Sequence, residues 1–424
     1  MYYSYMQRTR EDLVNLKPHY PDMINEVIDL TDQSRNMIFN YSLEEATEIV
    51  AGGNPEKIAT IDGHFAIMAR KGHIIRMARS LQLPMRYFIV KKVAGPALLI
   101  AERIDQIRGW LEENGFGNQF HPSYTRMVPA HHLTEIALVG CPDPNPVSTR
   151  FFNPPRNAPT ENFAERYIDE LVISVSKWLD HIPEHEPIGV LFSGGIDSGA
   201  VFLATHHTMK SRGMNLARLK AFTLTIDGEG EDAKQAHDFL SQLDLELFHE
   251  VIDTPGSWVN LQDAVKTIED YKPLDIQAGA MTLALCKGIR EQYPDFTYLI
   301  DGDGGDENMK DYPIEENPEL TIKSVLSNQM LYQEGWGVDA IKHSLTFSGG
   351  LSRACTRGYA PMNRYNFRGF SPFMLPNVIE VAEGIPFIEL TGWDHEKLYE
   401  LKGKVVQEGI EAVTGLHMPI FEKR

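Results

Sequence analysis

The chain has 424 residues, enough for two or three domains of roughly 150 residues each, and its formal net charge of −19 argues against a nucleic-acid partner, because phosphate binding favours a basic surface. The three cysteines, Cys141, Cys286 and Cys355, lie far apart, which fits neither a disulfide framework nor a paired-cysteine metal site and favours a reducing compartment. Because the N-terminus is polar and no apolar run reaches the roughly 18 residues of a membrane span, we expect a cytoplasmic protein without a membrane partner.

The N-terminal half, about residues 1–150, has the pattern of an antiparallel sheet. Apolar and polar residues partly alternate over residues 58–79 and 87–102, with glycine turns between the runs. The segment 142–159 is dense in proline and asparagine, which resist both helix and central strand. This segment therefore predicts a domain boundary.

The C-terminal half, about residues 160–424, has a different rhythm, in which short apolar runs alternate with helical stretches. The predicted strands are 188–192, 219–226, 247–252 and 298–300, and the predicted helices are 161–179, 199–209, 232–243, 261–270 and 278–291. This alternation predicts βαβ units, and therefore an α/β domain with a parallel sheet covered on both faces. Ligands of such sheets bind where strands end and helices begin.

The first motif with a chemical meaning, SGGIDS, lies between a predicted strand and a helix. Gly194 and Gly195 let the backbone approach a ligand closely, since neither residue has a Cβ atom. The hydroxyls of Ser193 and Ser198 and the N–H groups at the start of the helix are suited to phosphate oxygens. Asp197 fits a Mg²⁺ ligand instead, because a carboxylate repels phosphate. The alternative is an ordinary Gly-Gly turn with a helix cap.

The second motif, DGDGGDE at 301–307, packs four carboxylates and three glycines into seven residues after an apolar strand. Carboxylates this close repel one another, so we expect a cation nearby. Asp306 is predicted to be the second Mg²⁺ ligand, and Asp303 to face the reacting atoms. The alternatives are a solvated acidic turn and a Ca²⁺ loop, although the EF-hand pattern fails at its bidentate glutamate.

Together, these motifs resemble the synthetase domain of asparagine synthetases and β-lactam synthetases. SGGIDS matches their pyrophosphate-binding loop and 301–307 their second acidic loop, while 221–225 resembles the strand that lines the adenine pocket. Residues 248–251 resemble a further family strand, and 267–281 the helical stretch beside the substrate. The resemblance implies an ATP-pyrophosphatase (adenine nucleotide α-hydrolase-like) fold. It also implies an ATP site formed by Leu191, Ser193, Gly194, Gly195, Asp197, Ser198, Leu224, Asp301 and Gly302.

The N-terminal half resembles the family's glutaminase domain more weakly, through IDGHFA at 61–66 and AERID at 101–105. This implies an α+β domain of the Ntn type, an antiparallel sandwich. Glutamine-using members expose a cysteine at position two, whereas this chain has Tyr2 there and its first cysteine is Cys141. We therefore expect a degenerate domain that hydrolyses no glutamine.

The resemblance implies a ligase that activates a carboxylate as its acyl-adenylate, with ATP and Mg²⁺, and then forms an amide with ammonia or a substrate amine. Asp303 and Lys423 are the implied catalytic residues, and Glu269 and Asp270 are weaker candidates for substrate contact. Asp303 stands where asparagine synthetases carry glutamate and β-lactam synthetases carry tyrosine. A homodimer is also implied. The alternatives are an ammonia-dependent asparagine synthetase, an ATP-pyrophosphatase that modifies a nucleotide or tRNA, and a non-catalytic ATP-binding homologue.

A few other polar residues have a structural interpretation. His249 and Glu250 lie on a predicted internal strand, where a hydrogen-bonded core histidine is expected. The pair 131–132 is predicted to lie in a loop rather than to bind a metal. Four arginines have two equally good interpretations, as ligands of an anionic substrate or as part of a solvated face: Arg353, Arg357, Arg364 and Arg368.

Overall fold

The structure is a computed structural model that describes residues 24, 26–138, 146–156, 161–310, 323, 326 and 355–421. Lys423, Arg353 and Cys141 lie outside these residues, so the structure does not place them. Within the described ranges, no helix is long and apolar enough to cross a membrane.

The described strands and helices agree with the strand pattern of the N-terminal half and with the alternation of strands and helices in the C-terminal half. The strands are β1 (Glu26–Asp29), β2 (Met37–Ile38), β3 (Gly63–His64), β4 (Ala66–Lys71), β5 (Ile74–Arg79), β6 (Arg86–Val90), β7 (Ala97–Ala101), β8 (Arg126–Met127), β9 (His132–Ala137), β10 (Val147–Arg150), β11 (Ile188–Leu191), β12 (Leu219–Ile226), β13 (His249–Thr254), β14 (Tyr298–Ile300) and β15 (Arg368–Phe370). The helices are α1 (Leu43–Gly52), α2 (Pro55–Ile58), α3 (Ile104–Glu113), α4 (Phe163–Asp180), α5 (Ile196–Ser211), α6 (Glu231–Ser241), α7 (Leu261–Ile268), α8 (Pro273–Gln292), α9 (Gly305–Met309), α10 (Ala360–Arg364), α11 (Pro376–Gly384), α12 (Phe387–Thr391) and α13 (His395–Thr414). A π-helical turn spans Cys355–Tyr359.

The C-terminal half contains a five-stranded parallel sheet in the order β13-β12-β11-β14-β15. Helices α4, α5 and α13 share one large apolar core with one face of this sheet, and α8 packs on the other face. The predicted α/β domain is therefore confirmed. The sequence did not predict β15, because three residues that include a charge and a glycine carry no strand pattern.

The N-terminal half contains two four-stranded sheets, ordered β1-β7-β6-β8 and β10-β9-β5-β4. Their pairings are antiparallel, as predicted, except for the parallel pair β1–β7. One buried cluster takes residues from both sheets, while α1 packs on the outer face of one sheet and α3 on the outer face of the other.

The proline-rich segment 142–159 contains β10, which lies at the edge of its sheet. An edge position agrees with the expectation that this segment resists a central strand. The domain limits of 1–150 and 160–424 remain predictions.

The two halves meet beside the end of α7. Arg103 donates from Nη1 to the Thr267 carbonyl oxygen (2.6 Å) and from Nη2 to the Lys266 carbonyl oxygen (2.7 Å). Arg86, which is fully buried on β6, pairs with Glu269 at 3.1 Å. These contacts satisfy carbonyl groups that a helix C-terminus leaves without partners, and they hold the turn between α7 and α8 in place.

Candidate functional site

Two glycine-rich loops leave the parallel sheet at the same edge. Strands β11 and β14 are hydrogen-bonded neighbours in parallel, with Val190 opposite Ile300. The loop 193–198 follows β11 and the loop 301–307 follows β14, so both loops start at the carboxyl ends of adjacent strands. This is the position where open parallel sheets bind ligands.

The second loop closes directly on the start of α5, and glycine makes this approach possible. A Cβ atom at Gly302 would lie 2.7 Å from the backbone nitrogen of Ser198, and one at Gly305 would overlap Oδ1 of Asp197. Neither distance is compatible with a side chain. The sequence predicted each loop separately, and the structure brings them into contact.

Hydrogen bonds within the first loop hold its serines around the start of α5. Ser193 Oγ lies 3.2 Å from Ser198 Oγ, and the Gly195 N–H donates to Ser193 Oγ at 3.3 Å. Helix α5 is 16 residues long and begins directly after Gly195. Its N-terminal N–H groups and the positive end of its dipole favour an anion at this place.

A cavity of about 590 Å³ lies against both loops, within the usual size range of small-molecule sites. One wall is apolar and consists of Leu191, Leu224, Ile226, Met281 and Leu285. The predicted site residues that line this cavity are Leu191, Ser193, Asp197, Ser198, Leu224, Asp301, Gly302 and Asp303. Gly194 and Gly195 belong to the loop but do not line the cavity.

A smaller cavity of about 40 Å³ adjoins the acidic loop. It is lined by Asp197, Gly302, Asp303, Gly304, Asp306, Glu307 and Arg357. This volume exceeds the roughly 10–15 Å³ that a single water needs, so an ion fits. In the ranges that the structure describes, no three His, Cys, Asp or Glu side chains form a complete metal site. Two carboxylates beside a cavity that a helix N-terminus faces do fit Mg²⁺, which usually completes its coordination with substrate oxygens and water.

Lys402 on α13 is a site residue that the sequence did not predict. Its Nζ atom lies 2.7 Å from Oδ2 of Asp197 and also contacts Oδ1 of Asp306, and its side chain is only 4 % exposed. The ammonium group therefore joins the two predicted metal ligands. The available signal was its place on the buried face of α13, in a row with Leu398 and Val405, where a lysine needs a charged partner.

Asp301 and Asp303 both line the larger cavity. Asp301 is buried, its Oδ1 accepts the N–H of Asp303 (3.1 Å), and burial raises the pKa of its carboxyl to about 7. Gly358 packs against both carboxylates: a Cβ there would overlap Oδ2 of Asp301 and lie 2.5 Å from Oδ2 of Asp303. The π-helical turn thus forms the back wall of the acidic loop.

Arg357 is the one cation among the described residues that line the larger cavity. It also lines the smaller cavity, and its Nε donates to Oδ1 of Asp275 at 2.9 Å. Arg364 and Arg368 are exposed, and neither lines these two cavities. Of the three arginines in this set that the structure describes, Arg357 is the one that lines both cavities.

Glu269 and Asp270 do not line the cavity of about 590 Å³ beside the two loops. Glu269 pairs with Arg86 and Arg103 and lines a different cavity of about 600 Å³, located between the two halves. Asp270 is fully buried, and its Oδ1 accepts the N–H groups of the next two residues, while Oδ2 pairs with Lys272 at 3.1 Å. Both carboxylates shape the turn between α7 and α8.

The histidines considered above, His131, His132 and His249, pack within the protein scaffold. Nε2 of His249 lies 3.0 Å from the Thr223 hydroxyl, and burial lowers the pKa of this histidine. Glu250 pairs with Lys220. His131 is fully buried and His132 begins β9, so the expectation of a loop was wrong for His132.

The comparison with protein families decides what these loops belong to. The model of the asparagine synthase family matches residues 173–348, which include both glycine-rich loops and strands β11 to β14. This match supports an asparagine synthetase-like family for residues 173–348. This asparagine synthase domain is of the ATP-dependent, amide-forming type. The match ends before Arg357 and Lys402. No curated protein matches the chain.

Proposed function

We propose that this chain activates a substrate carboxylate as its acyl-adenylate, releasing pyrophosphate, and that a nitrogen nucleophile then displaces AMP to form an amide bond. The observation that carries the proposal is the direct contact between the two loops at Gly302 and Gly305. It places a helix N-terminus suited to phosphate and a cluster of carboxylates suited to Mg²⁺ around one cavity.

ATP would lie across this cavity with its adenine on the apolar wall of Leu191 and Leu224 and its phosphates at the loop 193–198. Asp197 and Asp306 would hold Mg²⁺, which supplies positive charge to the phosphate oxygens. Gly302 and Gly305 of the second loop contact Asp197 and Ser198 of the first. This contact supports a shared role of the two loops in holding the phosphates.

The substrate carboxylate would bind at Arg357 and attack the α-phosphorus. Arg357 suits this role because it is the one cation among the described lining residues and it already holds a carboxylate, that of Asp275. Pyrophosphate then leaves toward the N–H groups at the start of α5, which stabilise the charge that develops on its oxygens. The predicted contribution of Lys423 lies outside the described residues and remains a prediction.

The attacking nitrogen must lose a proton, and Asp303 is the candidate acceptor because it lines both cavities beside Arg357. We expect free ammonia or an amine of the substrate as the nitrogen source. Residues 1–140 contain no cysteine, which supports a route that does not use glutamine.

The test is release of pyrophosphate and AMP from Mg·ATP in the presence of a panel of amino acids and related carboxylates, with hydroxylamine as a trap. Pyrophosphate together with a hydroxamate would establish the acyl-adenylate and identify the carboxylate. Aspartate with ammonia belongs in the panel, because asparagine formation would make the chain an asparagine synthetase. ADP and phosphate as products would contradict the adenylation mechanism.

A further inference from the structure

Lys402 contacts the two acidic side chains of the site without lining either cavity. It projects from the long helix α13, whose neighbouring positions Leu398 and Val405 are buried in the main core. The lysine contacts both Asp197 and Asp306 but does not line the smaller cavity between the carboxylates. A buried ammonium group is costly unless it is paired, and here it has two carboxylates.

The charges around this contact explain what the lysine does for the loops. Two carboxylates that meet at one position repel each other, and a cation between them removes that repulsion. In many acidic sites a metal ion has this role, whereas here an ammonium group occupies the position between Asp197 and Asp306. One ammonium leaves the pair with a single net negative charge, which is a weak attraction for a divalent cation.

We infer that Lys402 is a positioning residue that stands in for a metal ion between Asp197 and Asp306, so that Mg²⁺ binds well only together with the phosphates of a nucleotide. The inference rests on the proposed function for the assignment of Mg²⁺ to these two carboxylates. Phosphate oxygens add the negative charge and the ligands that the lysine-neutralised pair lacks. Metal binding is therefore coupled to nucleotide binding, and the two loops keep their contact before either ligand arrives.

The first experiment is a titration of the full chain with Mn²⁺ without nucleotide, with free Mn²⁺ followed by electron paramagnetic resonance. Lys402→Met should bind Mn²⁺ at least about tenfold more tightly than the wild type, because the competing charge is gone. Lys402→Arg keeps the charge and should bind as weakly as the wild type. The matched control is Lys404→Met, since Lys404 is on the same helix but 69 % exposed.

A second measurement separates this role from a purely structural one. The thermal midpoint of Lys402→Met should be lower than that of the wild type in EDTA, and millimolar Mg²⁺ should restore part of the loss. The wild-type midpoint should respond to Mg²⁺ only when a non-hydrolysable ATP analogue is present. A lysine that only packs would lower the midpoint without any gain in metal binding.

Equal Mn²⁺ affinity of Lys402→Met and the wild type would overturn the inference. Should Lys402→Met not fold, the wild type still decides: tight Mn²⁺ binding without nucleotide would contradict the inference, and binding that appears only with the ATP analogue would support it. These titrations contain no carboxylate substrate. The titrations can therefore contradict the role of Lys402 while pyrophosphate is still released. Pyrophosphate release can equally be absent while the titrations give the expected result.

Discussion

The two halves of the chain both bury charged side chains, but they provide these charges with different partners. In the N-terminal half, the fully buried Arg79 donates from Nε to the Val128 carbonyl oxygen (2.6 Å) and from Nη1 to three further carbonyl oxygens. In the C-terminal half, the carboxylates of Asp197 and Asp306 share Lys402 beside a cavity. Backbone partners cannot leave, whereas a shared side chain can be exchanged for a ligand.

This difference teaches that burial of a charge does not by itself mark a functional site. What distinguishes the C-terminal cluster is that its carboxylates, from α5 and α9, line one small cavity and share Lys402 of α13. The N-terminal arginines are as deeply buried, yet they join strands and loops of the scaffold. Substitutions in the C-terminal cluster should therefore change activity, and those in the N-terminal half should change stability.

The largest expected effect is on amide formation by Asp303→Asn. Without a carboxylate to accept the proton of the amine, amide formation should fall by about 100- to 10,000-fold, while pyrophosphate release persists. Product analysis by mass spectrometry and a pyrophosphate assay would separate the two steps. Asp263→Asn is the control, because Asp263 is exposed and lines the cavity between the halves. Unchanged amide formation in Asp303→Asn would remove its assigned role.

Breaking the contact between the halves should have the largest effect on stability. Arg86→Met leaves Glu269, whose side chain is 9 % exposed, without its fully buried partner, and should lower the free energy of unfolding by about 3–5 kcal/mol. Urea denaturation measures this change. The control Arg108→Met, which removes a pair with Glu112 at the surface, should cost less than about 1 kcal/mol.

A double-mutant cycle sharpens the result for Arg86. Combining Arg86→Met with Glu269→Gln should give a smaller loss than the sum of the single losses, with a coupling of about 0.5–3 kcal/mol. Additive losses would mean that the ion pair does not connect the two halves energetically.

Gly358→Ala tests whether the back wall of the acidic loop matters for chemistry. The new Cβ would press on Asp301 and Asp303 and displace both carboxylates. A displacement of about 1 Å at a reacting group costs about 100-fold in rate, so amide formation should fall by about that factor. Gly109→Ala, in α3 with open space around it, is the matched control and should be harmless. A fully active Gly358→Ala variant would show that the carboxylate positions are not critical.

The smallest effect concerns acid stability of the N-terminal half. Burial lowers the pKa of His64, which packs against Ser371 and Phe370 of the other half, to about 3. Below about pH 6.5 the unfolded chain takes up a proton at His64 and the folded chain does not, so stability falls as the pH is lowered. At pH 5 this histidine should cost about 2 kcal/mol relative to pH 7. His64→Gln should flatten the pH dependence in thermal melts, and the exposed His73→Gln should not.

The sequence predicted the part of the site that local patterns encode. Both glycine-rich loops were recognisable because each follows an apolar strand and combines glycines with short polar residues. Strand β12 was predicted with its observed bounds, since five of its eight residues are apolar and two more are β-branched threonines. Helix α1 was missed although its capping box, formed by Ser42 and Glu45, is also a local signal.

The remaining parts depend on contacts that no local pattern contains. Lys402 lies 205 residues beyond Asp197 in the chain and reaches it only because α13 packs beside α4 and α5. Arg357 and Gly358 belong to a π-helical turn, a conformation that composition does not predict. The partners of Glu269 come from the other half of the chain, so its position away from the larger cavity was not predictable from its neighbours in sequence.

The pairing of Arg86 and Arg103 with Glu269 also has an evolutionary consequence. A gene that lost the N-terminal half would leave a buried glutamate and the end of α7 without their partners. Natural selection for a working ligase would therefore retain these two arginines and the strands that carry them, whatever reaction the N-terminal half performs or has ceased to perform. Each half thus supplies partners that buried groups of the other half require.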